Sequence, residues 1–456
     1  MGKYLEVKNI FHKKKVCYKA FLVLRVCEKE FIIKSSRLDI RAIVAWCLYD
    51  WGISAFPVIV TTFVIATYFT SQIAINPIIG THQWGIAMTI AGIIIAILSP
   101  VCGAIADYNR RRKSWLFAFT LLMIVSSALL WFAKPESFAA HYMLITVILG
   151  TIAFNMCMVF YNAILIDIAP LNYVGRISGW GWGVGYLGGL AILMIALFGF
   201  MNTQPAWLNI KTDEHIRICG PLVAVWSLLF TWPLFFMVSE KSHKKMPIFQ
   251  AIRYGMNDVI STFKMLLSEK NILIFLLAQM VYIDGLNSLF AFGGIYAAGT
   301  FHMGMKDVLL FGIVMNIFAG MGSILLAWVD DWIGPRSTIL FSLSCLTLLG
   351  LSIVLTKSLT HFWILACFLS LFVGPVQSSS RSLMAHLVPK DKATELFGFY
   401  ILSGKVSTFL GPWLLGVMTL HFNSQRAGMG SLLCFFIVGA CILLFVRNKH
   451  SLGACK

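Results

Sequence analysis

Apolar residues in this chain are massed rather than spaced. Twelve stretches, near 42–69, 84–106, 115–133, 141–163, 177–200, 219–238, 271–298, 306–328, 338–356, 361–385, 397–420 and 430–446, carry few charges, and short polar segments separate them. A helix needs roughly 20 apolar residues to cross the hydrocarbon core of a bilayer. Alternating segments of about 10 residues, the mark of a membrane β-barrel, are not what these runs look like. The pattern predicts an all-α integral membrane protein with twelve transmembrane helices.

The polar segments divide the twelve into two sixes. The longest connection is 240–270, basic with an amphipathic middle; it separates a bundle over 42–239 from one over 271–446, followed by a tail at 447–456. The two sides echo each other. GAIADYNRRRK (103–113) ends the second run and AWVDDWIGPR (327–336) ends the eighth; both place a small residue four positions before an Asp, with basic residues after it. Pro170 is followed nine residues later by Gly179, and Pro389 nine later by Gly398; YDWGISAF (49–56) resembles YIDGLNSLF (282–290). Two parallel six-helix repeats are a transporter plan that puts the solute between the halves near the midplane.

Composition agrees and charge adds orientation. Hydrophobic residues are 59% of the chain and charged ones 12%, too few charges to cover a soluble domain of this length. The net charge of +17 is unevenly placed: with both termini in the cytoplasm, 29 of the 36 Lys and Arg fall on the cytoplasmic side. That is the positive-inside bias, and it makes the basic excess a topology signal instead of a nucleic-acid footprint. Residues 1–41 hold eleven of those cations and have no secretory apolar segment. They read either as a basic arm on the membrane surface or as a mis-assigned translation start. The eleven cysteines form no C-x-x-C pair, so neither a disulfide framework nor a metal site is expected.

The chemistry lies in polar residues inside the apolar runs. An ionised side chain at the bilayer centre costs about 2.5–3.5 kcal/mol on insertion scales and normally faces the bundle interior or a water-filled cavity. Asp284 is the one charge between Ile272 and Ala298. It shares a helical face with Asn287 and Ser288, as Asp50 does with Ser54. Gln377 and Arg381 are spaced i, i+4, and Lys405 sits well inside the eleventh run. Asp284 reads either as a cavity carboxylate, binding a cationic group or carrying a proton, or as a structural partner of Lys405 or Arg381. Arg381, near a run's end, is expected to snorkel toward the cytoplasmic interface. The glycines of GWGWGVGYLGG (179–189) follow no strand, so they do not read as a dinucleotide loop; Gly181, Gly185 and Gly189 instead read as a small-residue stripe for close helix packing. GFYILSGKVS (398–407) lacks phosphate-loop spacing. No cofactor is expected, and transport would run on gradients.

The G-x-x-x-D loop after the second run, repeated after the eighth, resembles the signature loop of the major facilitator superfamily, with Arg110 and Ala327 standing where that loop has glycine. WCLYDWGISAF (46–56), FLLAQMVYIDG (275–285) and QSSSRSLMAHLVP…ELFGFYILSGK…LGP (377–412) resemble its vacuole-effluxer branch, over roughly Arg41 to Arg447. The resemblance implies a secondary active transporter working by alternating access, with Gly103, Asp107, Arg111, Asp331 and Arg336 as gating-loop residues. Amino acids or small peptides lead among cargoes, because a cavity with both signs of charge suits a zwitterion. Another solute class, or a transport-inactive receptor or scaffold, is the alternative. The expected partners are a small-molecule substrate, protons as a candidate coupling ion, and the bilayer of a bacterial inner membrane or a vacuolar or organellar one. The expected oligomeric state is a monomer, and no enzyme activity is expected.

Overall fold

The computed structural model describes residues 39–109, 111–134, 139–203, 205, 208–209, 212–239 and 261–447. Arg110, most of the 1–41 leader, residues 240–260 of the connection and the tail from 448 lie outside the described residues. Among the described residues, twelve helices are long and apolar enough to span a bilayer: α1 (Ile40–Ile73), α2 (Pro77–Tyr108), α3 (Arg112–Phe132), α4 (Ala140–Ile168), α5 (Leu171–Met201), α6 (Glu214–Met237), α7 (Lys270–Phe301), α8 (Leu310–Ile333), α9 (Pro335–Leu355), α10 (Leu359–Leu387), α11 (Lys390–His421) and α12 (Gln425–Leu443). Among the described residues there is no strand. Each span coincides with one of the massed apolar runs, because in lipid a helix satisfies its own backbone hydrogen bonds.

Within the first six helices α3 packs on α4 and α6, and α2 on α4; within the last six α7 packs on α12, α9 on α10 and α12, and α8 on α10. The sixes meet through α2 with α11, α5 with α8 and α10, and α4 with α11. Glycine makes these crossings close. A Cβ on Gly103 would lie 2.6 Å from the Thr394 carbonyl oxygen, and one on Gly398 2.4 Å from that of Ser99, so α2 and α11 touch backbone to backbone. Small interface residues allow such approach in membranes, where dispersion contacts replace hydrophobic drive.

Helix α5 carries two stripes. Gly181, Gly185 and Gly189 face Trp46, Asp50 with Ser54, and Val58 of α1, while Gly175, Gly179 and Gly183 face Asp330, Ala327 and Ile324 of α8. The second stripe accounts for Ala327 where the loop pattern has glycine. Gly179 lies opposite, and the contact needs only one of the pair to lack a Cβ.

Helices α1 and α11 are irregular near their polar residues. Helix α1 has π-helical stretches at Pro57–Phe63 and Phe69–Ile73, just beyond Asp50 and Ser54. Helix α11 is broken into Ala393–Val406 and Leu410–His421.

Candidate functional site

The deepest polar cluster centres on Arg381. Its side chain is 1% exposed and does not snorkel. It bends inward because polar partners from three other helices meet it there. Nε donates to Ser178 Oγ (2.9 Å), one terminal nitrogen to the Ser178 carbonyl oxygen (2.6 Å), and the other to Asn162 Oδ1 (3.3 Å), lying 3.6 Å from Asp50 Oδ2. The guanidinium also lies over the rings of Trp46, Tyr161 and Trp182, at 4.6, 5.4 and 5.5 Å, a cation–π cage of the kind that favours Arg. Asp50 is completed by Tyr161 Oη (3.1 Å) and Ser54 Oγ (3.4 Å). Above this pair Tyr186 Oη donates to Gln377 Oε1 at 2.7 Å. The structure thus brings Asp50 and Ser54 together with Arg381, and ties Gln377 of the same helix as Arg381 to Tyr186. Tyr161, Asn162, Ser178, Trp182 and Tyr186 are additions that sequence reading missed. The signal in α4 was a Tyr-Asn pair deep in the run, two turns after Asn155.

A second set of contacts seals the end of the bundle that bears Asp107. Its carboxylate accepts from Thr394 Oγ1 (2.5 Å) and from the Glu395 backbone N–H (2.9 Å), at the start of α11. Its ion-pair partner is Arg112 (2.8 Å), which also reaches Asp167 (2.8 Å) and the Lys390 carbonyl. Arg111, expected in that role, forms no ion pair among the described residues. It is the cap residue before α3 (φ −113°, ψ 50°), and the turn there presents Arg112 to Asp107 instead. The eighth-helix loop mirrors this. Asp331 accepts from the Arg176 backbone N–H (3.2 Å) and pairs with its guanidinium (2.6 Å), at the start of α5. Arg336, expected beside Asp331, instead donates to the carbonyls of Leu443 (3.3 Å) and Leu444 (2.6 Å). It caps the end of α12, where a cation suits the helix dipole. Each Asp thus holds the positive N-terminal end of a helix from the other six. Asp330, not singled out from the sequence, is buried against Gly175 and accepts from Ser382 Oγ at 3.0 Å.

The third group lies between α7 and α11. Asp284 is 1% exposed, and its Oδ2 accepts the Gly411 N–H (2.9 Å) at the start of the distal half of α11. Oδ1 and the buried Ser288 hydroxyl have no hydrogen-bond partner. One turn below, Ser403 donates to Gln279, and Ser407 to the Met280 carbonyl (2.7 Å). Two expectations are corrected. Asp284 pairs with neither Lys405 nor Arg381; the first makes no ion pair among the described residues and the second is committed to Asp50. Asn287 is exposed while Ser288 is buried, because positions i+3 and i+4 diverge by about 100° around a helix and the α11 contact takes the Ser288 side.

The eight described cysteines are all free, and no group of three or more His, Cys, Asp or Glu suited to a metal ion occurs among the described residues.

This arrangement of twelve helices is the fold of the major facilitator superfamily. A proton:xylose symporter, XylE, superposes with a TM-score of 0.72 at 13% identity, over 90% of this chain and 96% of its own. FucP, solved in an outward conformation, gives 0.72 at 11% identity, over 90% and 99%. The chain belongs to the family described as vacuole effluxer Atg22 like, whose model matches residues 85–456. An uncharacterized MFS-type transporter of Bacillus subtilis (strain 168), YxiO, is 28% identical over 411 residues, 89% of this chain and 95% of that one. Autophagy-related protein 22 of Yarrowia lipolytica is 21% identical over 61% of this chain and 51% of its own length, so the chain spans about half of that fungal relative. Fold and family place the chain among integral membrane transporters of the alternating-access type.

Proposed function

We propose that this protein is a secondary active transporter that moves amino acids or small peptides between two sides of a membrane. The observation that carries the reading is the asymmetry of the contact between the sixes. At the Asp107 face, Gly103 and Gly398 bring α2 and α11 into backbone contact and the Asp loops hold α5 and α11. Further along the same face of α2, a Cβ on Gly92 would meet no atom of the described residues within 4 Å. One end is closed and the other parted, one half of an alternating cycle.

In this reading the Asp107 face is cytoplasmic, as the positive-inside bias suggests, and the cavity opens outward. The Asp50–Arg381 pair closes the cavity's floor. It links α1 to α10, so it must separate when the sixes rock apart. Asp284 is the coupling carboxylate, serving a proton or a substrate amine. Two charges that do not neutralise each other, Asp284 and Lys405, favour a zwitterion over a sugar.

The test is counterflow. Proteoliposomes loaded with unlabelled amino acids should accumulate labelled ones from outside, and sugars or nucleosides in the same format should not. Accumulation of a sugar but of no amino acid overturns the cargo and keeps the carrier; no counterflow of any solute overturns both.

A further inference from the structure

Lys405 is an interior cation with no ion-pair partner among the described residues. It lies within α11, one residue before that helix loosens after Val406. Its ammonium group makes no hydrogen bond and no ion pair among the described residues. Asp50 is held by Arg381 and Tyr161, and Asp284 takes the Gly411 amide on Oδ2 and forms no ion pair with Lys405. Lysine at such depth normally pairs or faces water.

The helix geometry says what Lys405 faces. Gly398 packs on Ser99 and Pro100 of α2. Lys405 is seven residues further on, two turns up and about 20° from the same face, so it points toward α2. The helices run in opposite directions: Gly103 meets Thr394 and Ser99 meets Gly398. Continuing that register sets Gly92, seven residues before Ser99, opposite Lys405. There the close contact has ended. Around the Cβ position of Gly92 lies open space, in contrast to the tight packing at Gly103. Pro100, at the tight contact, removes a backbone donor within α2 between Gly103 and Gly92. By that register a half-buried lysine, without an ion pair among the described residues, stands opposite a glycine whose Cβ position is open.

We propose that Lys405 anchors the carboxylate of the transported solute in the cleft between α2 and α11, with Gly92 leaving room for the group it carries. An ammonium takes a carboxylate as a point charge with three rotatable donors, which fixes one end of the solute and leaves its remainder free. The proposal deepens the carrier reading above and rests on it for the identity of the cleft, but not on the cargo being an amino acid.

Thermal melting of the purified full-length protein, titrated with three probe sets, tests it. The sets are the common L-amino acids, amine-free organic acids of matching size, and the amides of the same amino acids. A carboxylate anchor requires that acids raise the melting point of the wild type and amides do not, since only ligands of the native state stabilise it. Lys405→Met should weaken acid binding about tenfold or more, as expected for losing a hydrogen bond to a charged group, and Lys405→Arg should keep most of it. Gly92→Leu, which has space to fold, should block binding with the lysine intact. If only amine-free acids bind, and bind through Lys405, the anchor stands and the amino-acid cargo falls. If amino acids bind wild type and Lys405→Met alike, the cargo stands and the anchor falls. Equal stabilisation by amides, unimpaired binding by Gly92→Leu, or no response to any carboxylate overturns the proposal.

Discussion

Asp50 of α1 and Arg381 of α10 come within 3.6 Å of each other inside the bundle, with the guanidinium under Trp46 and the carboxylate under Tyr161. Both side chains are buried. Removing one side of such a pair strands the other, at a cost of about 3–5 kcal/mol, while replacing both is far milder. Arg381→Met and Asp50→Asn should each lower the melting temperature of the purified protein, and the double variant should recover most of the loss. Counterflow should stay impaired in all three, because the floor of the cavity no longer closes. Additive destabilisation in the double variant would contradict the pairing.

The sealed face gives a prediction that discriminates between neighbouring arginines. Asp107→Asn and Asp331→Asn should insert normally yet transport several-fold more slowly, since each loses the charge that holds a helix start. Arg112→Gln should reproduce the first and Arg176→Gln the second. Arg111→Gln should leave transport close to wild type, and Arg336→Gln should act on stability through the end of α12. Wild-type rates in both Asp variants at equal expression would count against the gate.

Those arginines also show what the sequence could and could not disclose. The twelve runs, the two sixes and the Asp loops were legible, because lipid forces long apolar helices and duplication leaves paired loops. Partner choice was not. Arg111 and Arg112 differ by one position, about 100° on a helix, and only the cap at the start of α3 decides which meets Asp107. Arg381 read as a snorkelling boundary residue because its partners, Asn162 and Ser178, are neutral and distant in sequence. Asn287 and Ser288 were equivalent by spacing until the packing of α11 chose one.

Close packing at glycine yields a steric prediction. Gly398→Leu would drive a side chain into the Ser99 carbonyl and Pro100. Overpacking of this kind typically costs about 1–3 kcal/mol, and here the strain is relieved when α2 and α11 separate. The variant should therefore favour the state open at the Asp107 face. A cysteine placed at Ser178 should then react faster with a membrane-impermeant maleimide applied from that side. Unchanged labelling in a folded variant would argue that the contact does not gate.

Asp284→Asn keeps size and removes ionisation. It should fold normally, since an amide oxygen can still accept the Gly411 N–H, and it should lose concentrative uptake. Retained counterflow would assign Asp284 to the proton, and lost counterflow to a substrate amine. Because Lys405 is not its partner, Lys405→Met should not rescue it. Normal concentrative uptake by Asp284→Asn would remove it from the mechanism.

The most direct test of alternating access is a distance across the sealed face. Spin labels at Leu171, at the start of α5, and at Trp332, at the end of α8, are both exposed and sit on opposite sixes beside the Arg176–Asp331 pair. In reconstituted, otherwise cysteine-free protein, electron–electron double resonance should give a short distance matching this structure. A second, longer population, as in collective domain opening, should grow with transported solute and dominate in Asp331→Asn. A single short distance, unmoved by solute and by that substitution, would contradict the account.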